Sequence, residues 1–302
     1  MVRIAFFLLM AVAWLPLWLL YAVGDLLRPV VYHVVRYRRR VVEQNLRNAF
    51  PEKSAAERRR IARAYYRHMV DLLVEALYNL RTTPAQIKRH YRLVNREAVD
   101  RYYEQGQSVV LLSAHYNNWE YMVAGLNMLL LHHGVGVGKP LEDKKIGSYI
   151  TRRRIRYGTE VVDQTNVRQV MEYYHRHRVP CAYMMLSDQS PNDVHKCYWT
   201  EFLHQETPFI YGGEYLARKY GYPVIYYKVN KVRRGRYEVV FEPLCDNAAD
   251  QPQYRIEQQY IGRLERLLRD KPEYWLWSHR RWKRVRPPEI PLHAPAAHST
   301  NQ

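Results

Sequence analysis

The alternation of apolar and polar positions changes character twice along the 302-residue chain. Residues 4–23 (IAFFLLMAVAWLPLWLLYAV) carry no charge. At about 1.5 Å per residue, a helical run of that length crosses a hydrocarbon layer of about 30 Å. Residues 36–80 then read as two helices broken at Phe50-Pro51. Ser54 and Glu57 form a capping box for the second, which places Ile61, Tyr65, Met69, Leu72, Leu73 and Leu77 on one face. Thr83-Pro84 marks another helix start, and 96–105 reads as a short amphipathic helix ended by Gly106. Beyond it, short apolar runs alternate with helical ones: 109–114 and 118–132, 135–138 and 143–157, 160–162 and 166–178, 181–187, then 212–221 and 223–229. Residues 236–242 alternate and are placed to pair with 223–229 through an Arg-Arg-Gly turn, before a long helix over 252–269.

Strands that alternate with helices predict an α/β fold, a mostly parallel sheet with helices on both faces, preceded by an N-terminal membrane helix. Four regions follow: a membrane anchor over 1–27, a helical region over 28–106, an α/β core over 107–287, and a tail over 288–302 rich in Pro, Ala, Ser and His that is expected to be disordered.

Charge narrows the partners. Lys and Arg number 47 against 29 Asp and Glu, a net of +18. Such an excess favours polyanions: nucleic acid, an anionic membrane, a phosphorylated lipid or an acidic carrier protein. Cys181, Cys197 and Cys245 are far apart, which speaks against a disulfide framework or a structural zinc site and fits a reducing compartment. Tyr outnumbers Phe by 27 to 6, which suits half-wet interfaces but is read first as compositional drift.

The uncharged run is too long, and its end too poor a small-x-small site, for a cleaved signal peptide. Pro16 leaves open a kinked or interfacial helix instead of a clean span. Arg28, Arg36, Arg38, Arg39, Arg40 and Arg47 follow it, whereas only Arg3 precedes it. The positive-inside bias therefore puts the body in the cytoplasm, with these arginines against an anionic leaflet.

The run VVLLSA ends at His115, just past the carboxyl end of a central strand, where open α/β sheets hold their ligands. Asn117 or Asn118 can cap the helix that follows. His115 and Glu120 cannot share a helix face, since five positions rotate about 140°. They meet only if the His lies in the loop and the Glu in the first turn. A helix amino end disfavours positive charge on the imidazole, and a carboxylate on its other nitrogen fixes the tautomer. The chain has neither G-x-S-x-G nor S-x-x-K, so the ring would activate a substrate hydroxyl and not a serine. An isolated H-x-x-x-x-E is weak evidence; Glu120 could simply complement the helix dipole.

Longer stretches raise that weight. SAHYNNWE resembles the H-x-x-x-x-D/E motif of the glycerolipid-type acyltransferases. MMLSDQSP (184–191), FLHQETPFIYGGEYLARKYGYPVI (202–225) and above all KPEYWLWSHRRWKRVRP (271–287) resemble the lipid A late acyltransferases. The resemblance runs from about residue 4 to 287. It implies a glycerolipid acyltransferase-like fold at the cytoplasmic face of a bacterial inner membrane, held by residues 4–23. It further implies transfer of a fatty acyl chain from acyl carrier protein to a hydroxyl of a phosphorylated glycolipid, with no further cofactor. Carried over, His115 is the base and Glu120 its partner; Asp188 or Glu206 could orient the ring instead, with Gln189 beside Asp188. The F-P-E-G-x-R of glycerol-phosphate acyltransferases is absent downstream of His115, which argues against glycerol 3-phosphate as acceptor.

Basic clusters offer binding sites. Among Arg152, Arg153, Arg154 and Arg156, the last two best match the family pattern for gripping a phosphate or an acidic carrier; a solvated helix face is the plainer alternative. Arg280 and Arg281, beside Trp282, are expected at lipid headgroups, a better fit than a nucleic-acid patch. GVGVGKP fails the P-loop spacing because position 133 is His, and His175 and His177 diverge too far on a helix to share a metal. The rival readings are the same chemistry on another acceptor (an aminolipid, a phosphoinositol mannoside, a lysophospholipid) and a non-catalytic anionic-lipid-binding protein. The enzymatic readings require a ring reachable from outside, beside an apolar slot.

Overall fold

The computed structural model describes residues 11–138, 148–149, 151–153 and 155–294. Among them a seven-stranded sheet runs in the order β1-β9-β8-β2-β5-β3-β4. The strands are β1 (Tyr91–Leu93), β2 (Val109–Ser113), β3 (His133–Gly138), β4 (Glu160–Asp163), β5 (Cys181–Leu186), β8 (Val224–Arg233) and β9 (Arg236–Cys245). β8, β2, β5, β3 and β4 are mutually parallel, whereas β9 is antiparallel to β8 and β1 follows β9. The mostly parallel sheet and the 223–229/236–242 pairing are thus as expected. The sequence reading missed β1, whose three residues are too few for a period. It also missed a separate antiparallel hairpin, β6 (Tyr198–Phe202) and β7 (Gln205–Phe209).

Alternate side chains of the buried strands serve two layers. Val110 and Leu112 of β2, with Tyr183 and Met185 of β5, join Ile256, Tyr260, Leu264 and Leu268 of α9 (Arg255–Asp270). Val109, Leu111, Ala182 and Met184 pack instead on Tyr121, Met122 and Leu126 of α6 (Trp119–Leu129). Many tyrosines fill this core, among them Tyr65, Tyr91, Tyr183, Tyr226 and Tyr227. The Tyr excess is therefore a property of the interior more than of half-wet surfaces.

Ahead of the sheet lie α1 (Leu17–Pro29), α2 (Arg39–Ala49), α3 (Ala55–Asn79), α4 (Pro84–His90) and α5 (Glu97–Glu104). The expected capping box of Ser54 with Glu57 is formed, and the helix start at Thr83-Pro84 carries a second one, Thr83 with Gln86. The face of α3 is not the expected one beyond Met69. Leu73 is exposed, while His68, Asp71, Glu75 and Asn79 are buried. Polar groups on α1 and on the β8–β9 hairpin satisfy that side, so it can be covered. Lys231 and Arg234 both reach Asp71, and Arg234 also reaches Asp25.

The uncharged N-terminal run is broken. Residues 11–13 are helical, Trp14 and Leu15 turn, and α1 begins after Pro16, which matches the kinked option; residues 4–10 lie outside the described residues. Among the described residues no helix is long and apolar enough to cross a membrane. Leu20, Tyr21 and Gly24 form the inner face of α1. A Cβ on Gly24 would lie 3.0 Å from Val74 Cγ2, and one on Gly235, at the tip of the β8–β9 hairpin, 2.7 Å from the Tyr21 hydroxyl. A side chain at Gly24 would crowd Val74, and Gly235 also adopts φ 70°, a backbone conformation that favours glycine. The outer face is apolar and exposed at Val23, Leu26 and Leu27, with Trp18 71 % and Leu26 76 % accessible, and exposed Val30 and Val34 continue it in the π-helical turns after Pro29.

Of the tail expected to be disordered, residues 288–290 form a turn, and His293 bridges to Thr200, donates its backbone N–H to the Trp199 carbonyl and stacks on Tyr198 beside β6; residues 295–302 lie outside the described residues.

Candidate functional site

Register brings the site together. β2 and β5 are parallel neighbours with Ser113 opposite Leu186. Two residues on from each, His115 and Asp188 fall side by side at the carboxyl edge of the sheet. The His115 ring Nδ1 lies 2.7 Å from Asp188 Oδ1, and the His115 backbone N–H donates to Oδ2 at 3.0 Å. The Trp275 indole N–H donates to the same Oδ2 at 2.8 Å. Asp188 is buried; burial pushes its carboxyl up, but His115 and these donors outweigh it and hold the group below the ordinary carboxylate range. The His115 side chain keeps 18 % exposure, so the ring is reachable.

An ionised Asp188 accepts from Nδ1–H, which assigns the tautomer and leaves the Nε2 lone pair outward. The Gln189 amide nitrogen stands 3.2 Å from Nε2. Trp119 meets the ring edge-on at 5.0 Å. Such an arrangement has the geometry to accept a proton: its outer nitrogen is met by one side-chain amide at 3.2 Å, which a hydroxyl can displace.

The loop from His115 to α6 is fixed at every step. Asn117 adopts φ 52°, a left-handed conformation that Asn tolerates, and its side chain donates to the Val229 carbonyl at 2.7 Å. Its backbone N–H donates to the Tyr274 carbonyl. Asn118, the second of the two expected caps, accepts from Tyr121 N–H at 3.1 Å.

The motif at 271–287 folds beneath Asp188. Trp275 packs edge-on against Trp277 and Trp282, and Trp277 donates to the Pro272 carbonyl. The Asn45 amide holds the carbonyls of Trp277 and His279. His279 Nε2 accepts from the Ser190 backbone N–H at 3.1 Å. Burial, with Arg281 and His115 nearby, pushes this ring down to about 4 despite the pull of Asp188. His279 is therefore neutral in the fold at pH 5, whereas it protonates in the unfolded chain below about 6.5. Its contribution to stability is complete above that value and is lost as pH falls toward 4. His68 is lowered too, first by burial and then by Lys231, and adds to the same slope. Urea unfolding at pH 7, 6 and 5 is expected to give a falling stability that is shallower in His279→Asn; an unchanged slope would mean that the ring is not held neutral.

Several expected site residues stand elsewhere. Asp188, not Glu120, occupies the ring Nδ1; Glu120 lies in the first turn of α6, half-buried. Glu206 is on the β6–β7 hairpin, exposed, and paired with Arg286 at 3.0 and 3.2 Å, so it does not orient His115. Arg281 is not at a headgroup surface. It is buried, donates to the Pro208 carbonyl at 2.6 Å and lies over the Phe209 ring, because the packed tryptophans draw the segment inward. Burial pulls its guanidinium down to about 10. Arg280 remains exposed. Arg156 has both terminal nitrogens engaged by protein groups: Nη1 by the Arg153 carbonyl, and Nη2 by the carbonyls of Asn79 and Thr82, clamping its segment to the end of α3. Arg154 lies outside the described residues, as do 143–147 of the helix expected over 143–157.

Sequence reasoning missed Trp275, His279 and Glu75. The first two were visible within a motif taken as a surface patch. Glu75 was visible as one of the polar positions 68, 71, 75 and 79, spaced as one helix stripe. A cleft of about 320 Å³ between α3 and the end of α9 is lined by Lys53, Arg60, Arg269, Asp270 and Glu273, among others. Its lining, mostly charged and without His115, does not make it the apolar slot. Among the described residues no three His, Cys, Asp or Glu side chains converge as metal ligands do.

The family model described as "Bacterial lipid A biosynthesis acyltransferase" matches residues 1–284. A lipid A biosynthesis lauroyltransferase from Escherichia coli (strain K12) is 22 % identical over 292 residues, 92 % of this chain and 93 % of that protein.

Proposed function

The chain belongs to the bacterial lipid A biosynthesis acyltransferase family, and from that premise we propose that it moves a fatty acyl chain from an acyl carrier protein thioester to a hydroxyl of a lipid A precursor, with His115 as general base. One observation carries the role of the ring: Nδ1 is held at 2.7 Å by a buried carboxylate at the carboxyl edge of a parallel sheet. The acceptor hydroxyl displaces Gln189 and gives its proton to Nε2 as its oxygen attacks the thioester carbonyl. Asp188 stabilises the imidazolium that forms. The oxyanion is assigned to backbone N–H groups at the start of α6, where a helix amino end favours negative charge. The C–S bond then breaks, and the carrier thiolate takes the proton back from Nε2. Donor, acceptor and these side chains complete the chemistry without a metal or nucleotide. Glu120, through its place in the motif, is assigned to substrate positioning in the same turn.

The apolar outer face of α1, with the arginines from Arg28 to Arg47 after it, supports attachment to the anionic cytoplasmic leaflet of the inner membrane. Arg280 is the remaining headgroup contact, and an acidic carrier protein suits the net charge of +18. The purified protein, given acyl carrier protein thioester and a panel of acceptors, is expected to add one acyl chain to a phosphorylated glucosamine lipid bearing a free hydroxyacyl group, read by mass spectrometry. An aminolipid or lysophospholipid product in its place would move the assignment to that acceptor. No acylated product from any acceptor would end it.

A further inference from the structure

The buried polar stripe of α3 has a centre. Glu75 accepts from the Tyr21 hydroxyl at 2.6 Å, from the Tyr237 hydroxyl at 2.7 Å and from the Asn118 side-chain amide at 2.5 Å. These donors come from three directions: α1, β9 and the cap of α6. We propose that Glu75 is a positioning residue for the His115 loop, and that it makes the hold on that loop depend on the seating of α1. The inference rests on His115 being the base.

The choice of residue argues for such a role. A fully buried carboxylate is costly, and a Leu or Met would fill the same space without that cost. Burial indeed pushes Glu75 up, against the pull of its three donors. What a carboxylate offers there is acceptor capacity on both oxygens, enough for donors that converge from separate elements. The Asn118 amide is then held at both ends: its nitrogen by Glu75, its oxygen by Tyr121 N–H. Without the first contact the amide can rotate, the cap loosens, and the turn that carries His115 loses its fixed end. Tyr21 extends the hold outward, since its ring lies on the inner face of the helix whose outer face is apolar.

Kinetics and hydrogen exchange on the full-length protein test this. Glu75→Ala is expected to lower kcat about 10–100-fold with acceptor KM changed by less than about threefold, the signature of a mispositioned base. Glu75→Gln, which can still accept from Asn118, is expected to recover most of the loss. Amide exchange in residues 114–122 is expected to speed up in Glu75→Ala and also in Tyr21→Phe, although the Tyr21 hydroxyl donates to Glu75, outside that segment. Glu214→Ala serves as the control: this buried carboxylate caps α9 through the N–H groups of Tyr254 and Glu257, and its loss is expected to lower Tm with kcat and loop exchange unchanged. If Glu75→Ala behaves like Glu214→Ala, the proposal is overturned. If Glu75→Ala does not fold, Tyr21→Phe and Tyr237→Phe decide, and unchanged loop exchange in both overturns it. Retained transfer in His115→Ala would remove the functional reading instead, while the exchange data would still decide the hold of Glu75 on the loop.

Discussion

His115→Ala is expected to transfer acyl chains about 10²–10⁴-fold more slowly, a barrier increase of about 3–5 kcal/mol. The substitution removes the nitrogen that takes the acceptor's proton and leaves the rest of the site standing. The backbone N–H of residue 115 still donates to Asp188 Oδ2, and Trp275 still donates to the same oxygen. Asp188 Oδ1 loses its partner and the Gln189 amide its weak one, a stability cost of about 1–3 kcal/mol. The loss should therefore appear in kcat under saturating acceptor, with acceptor KM little changed and the thermal transition lowered by a few degrees at most. Steady-state transfer with a mass-resolved product measures it. Activity within about tenfold of the parent would show that another group takes the proton.

Asp188→Asn is expected to cost about as much, for a different reason. Oδ2 of Asp188 accepts from two fixed donors, the His115 backbone N–H and the Trp275 indole N–H. An asparagine oxygen must take that place, because an amide nitrogen there would meet two donors. Its NH₂ then points at ring Nδ1 and donates to it. The imidazole is driven into the tautomer with the proton on Nε2, which cannot accept another. In the serine-protease triad the equivalent change lowers kcat about 10⁴-fold, and a loss of about 10³–10⁴-fold is expected here. Comparison with Glu120→Gln makes the assignment specific: if Asp188→Asn is the milder of the two, the carboxylate that matters is the one in the motif, and the geometry at Nδ1 is incidental.

The elements that repeat with a clear period were legible in the sequence. The buried strands β2, β3 and β5, the helix α9 and the Ser54–Glu57 capping box fall where spacing and cap residues put them, because each is decided by neighbours within a few positions. His115 was legible for the same reason: an apolar run that ends at a polar residue before a good N-cap is a local pattern. Arg281 and Glu75 were not. Arg281 looks like one of several surface cations around Trp282, and only the packing of Trp275, Trp277 and Trp282 carries it inside. Glu75 looks like a solvated residue on an amphipathic helix, until α1 and the β8–β9 hairpin cover it.

The sequence by itself determined the order of elements, the place of the imidazole at a strand end, and the family, since all of these are written in short stretches of neighbouring residues. The tertiary structure decided which carboxylate holds that imidazole. Positions 115 and 188 are 73 residues apart, and they meet because β2 and β5 pair in parallel with Ser113 opposite Leu186. Register is a property of two strands together, and no local period in either one records it.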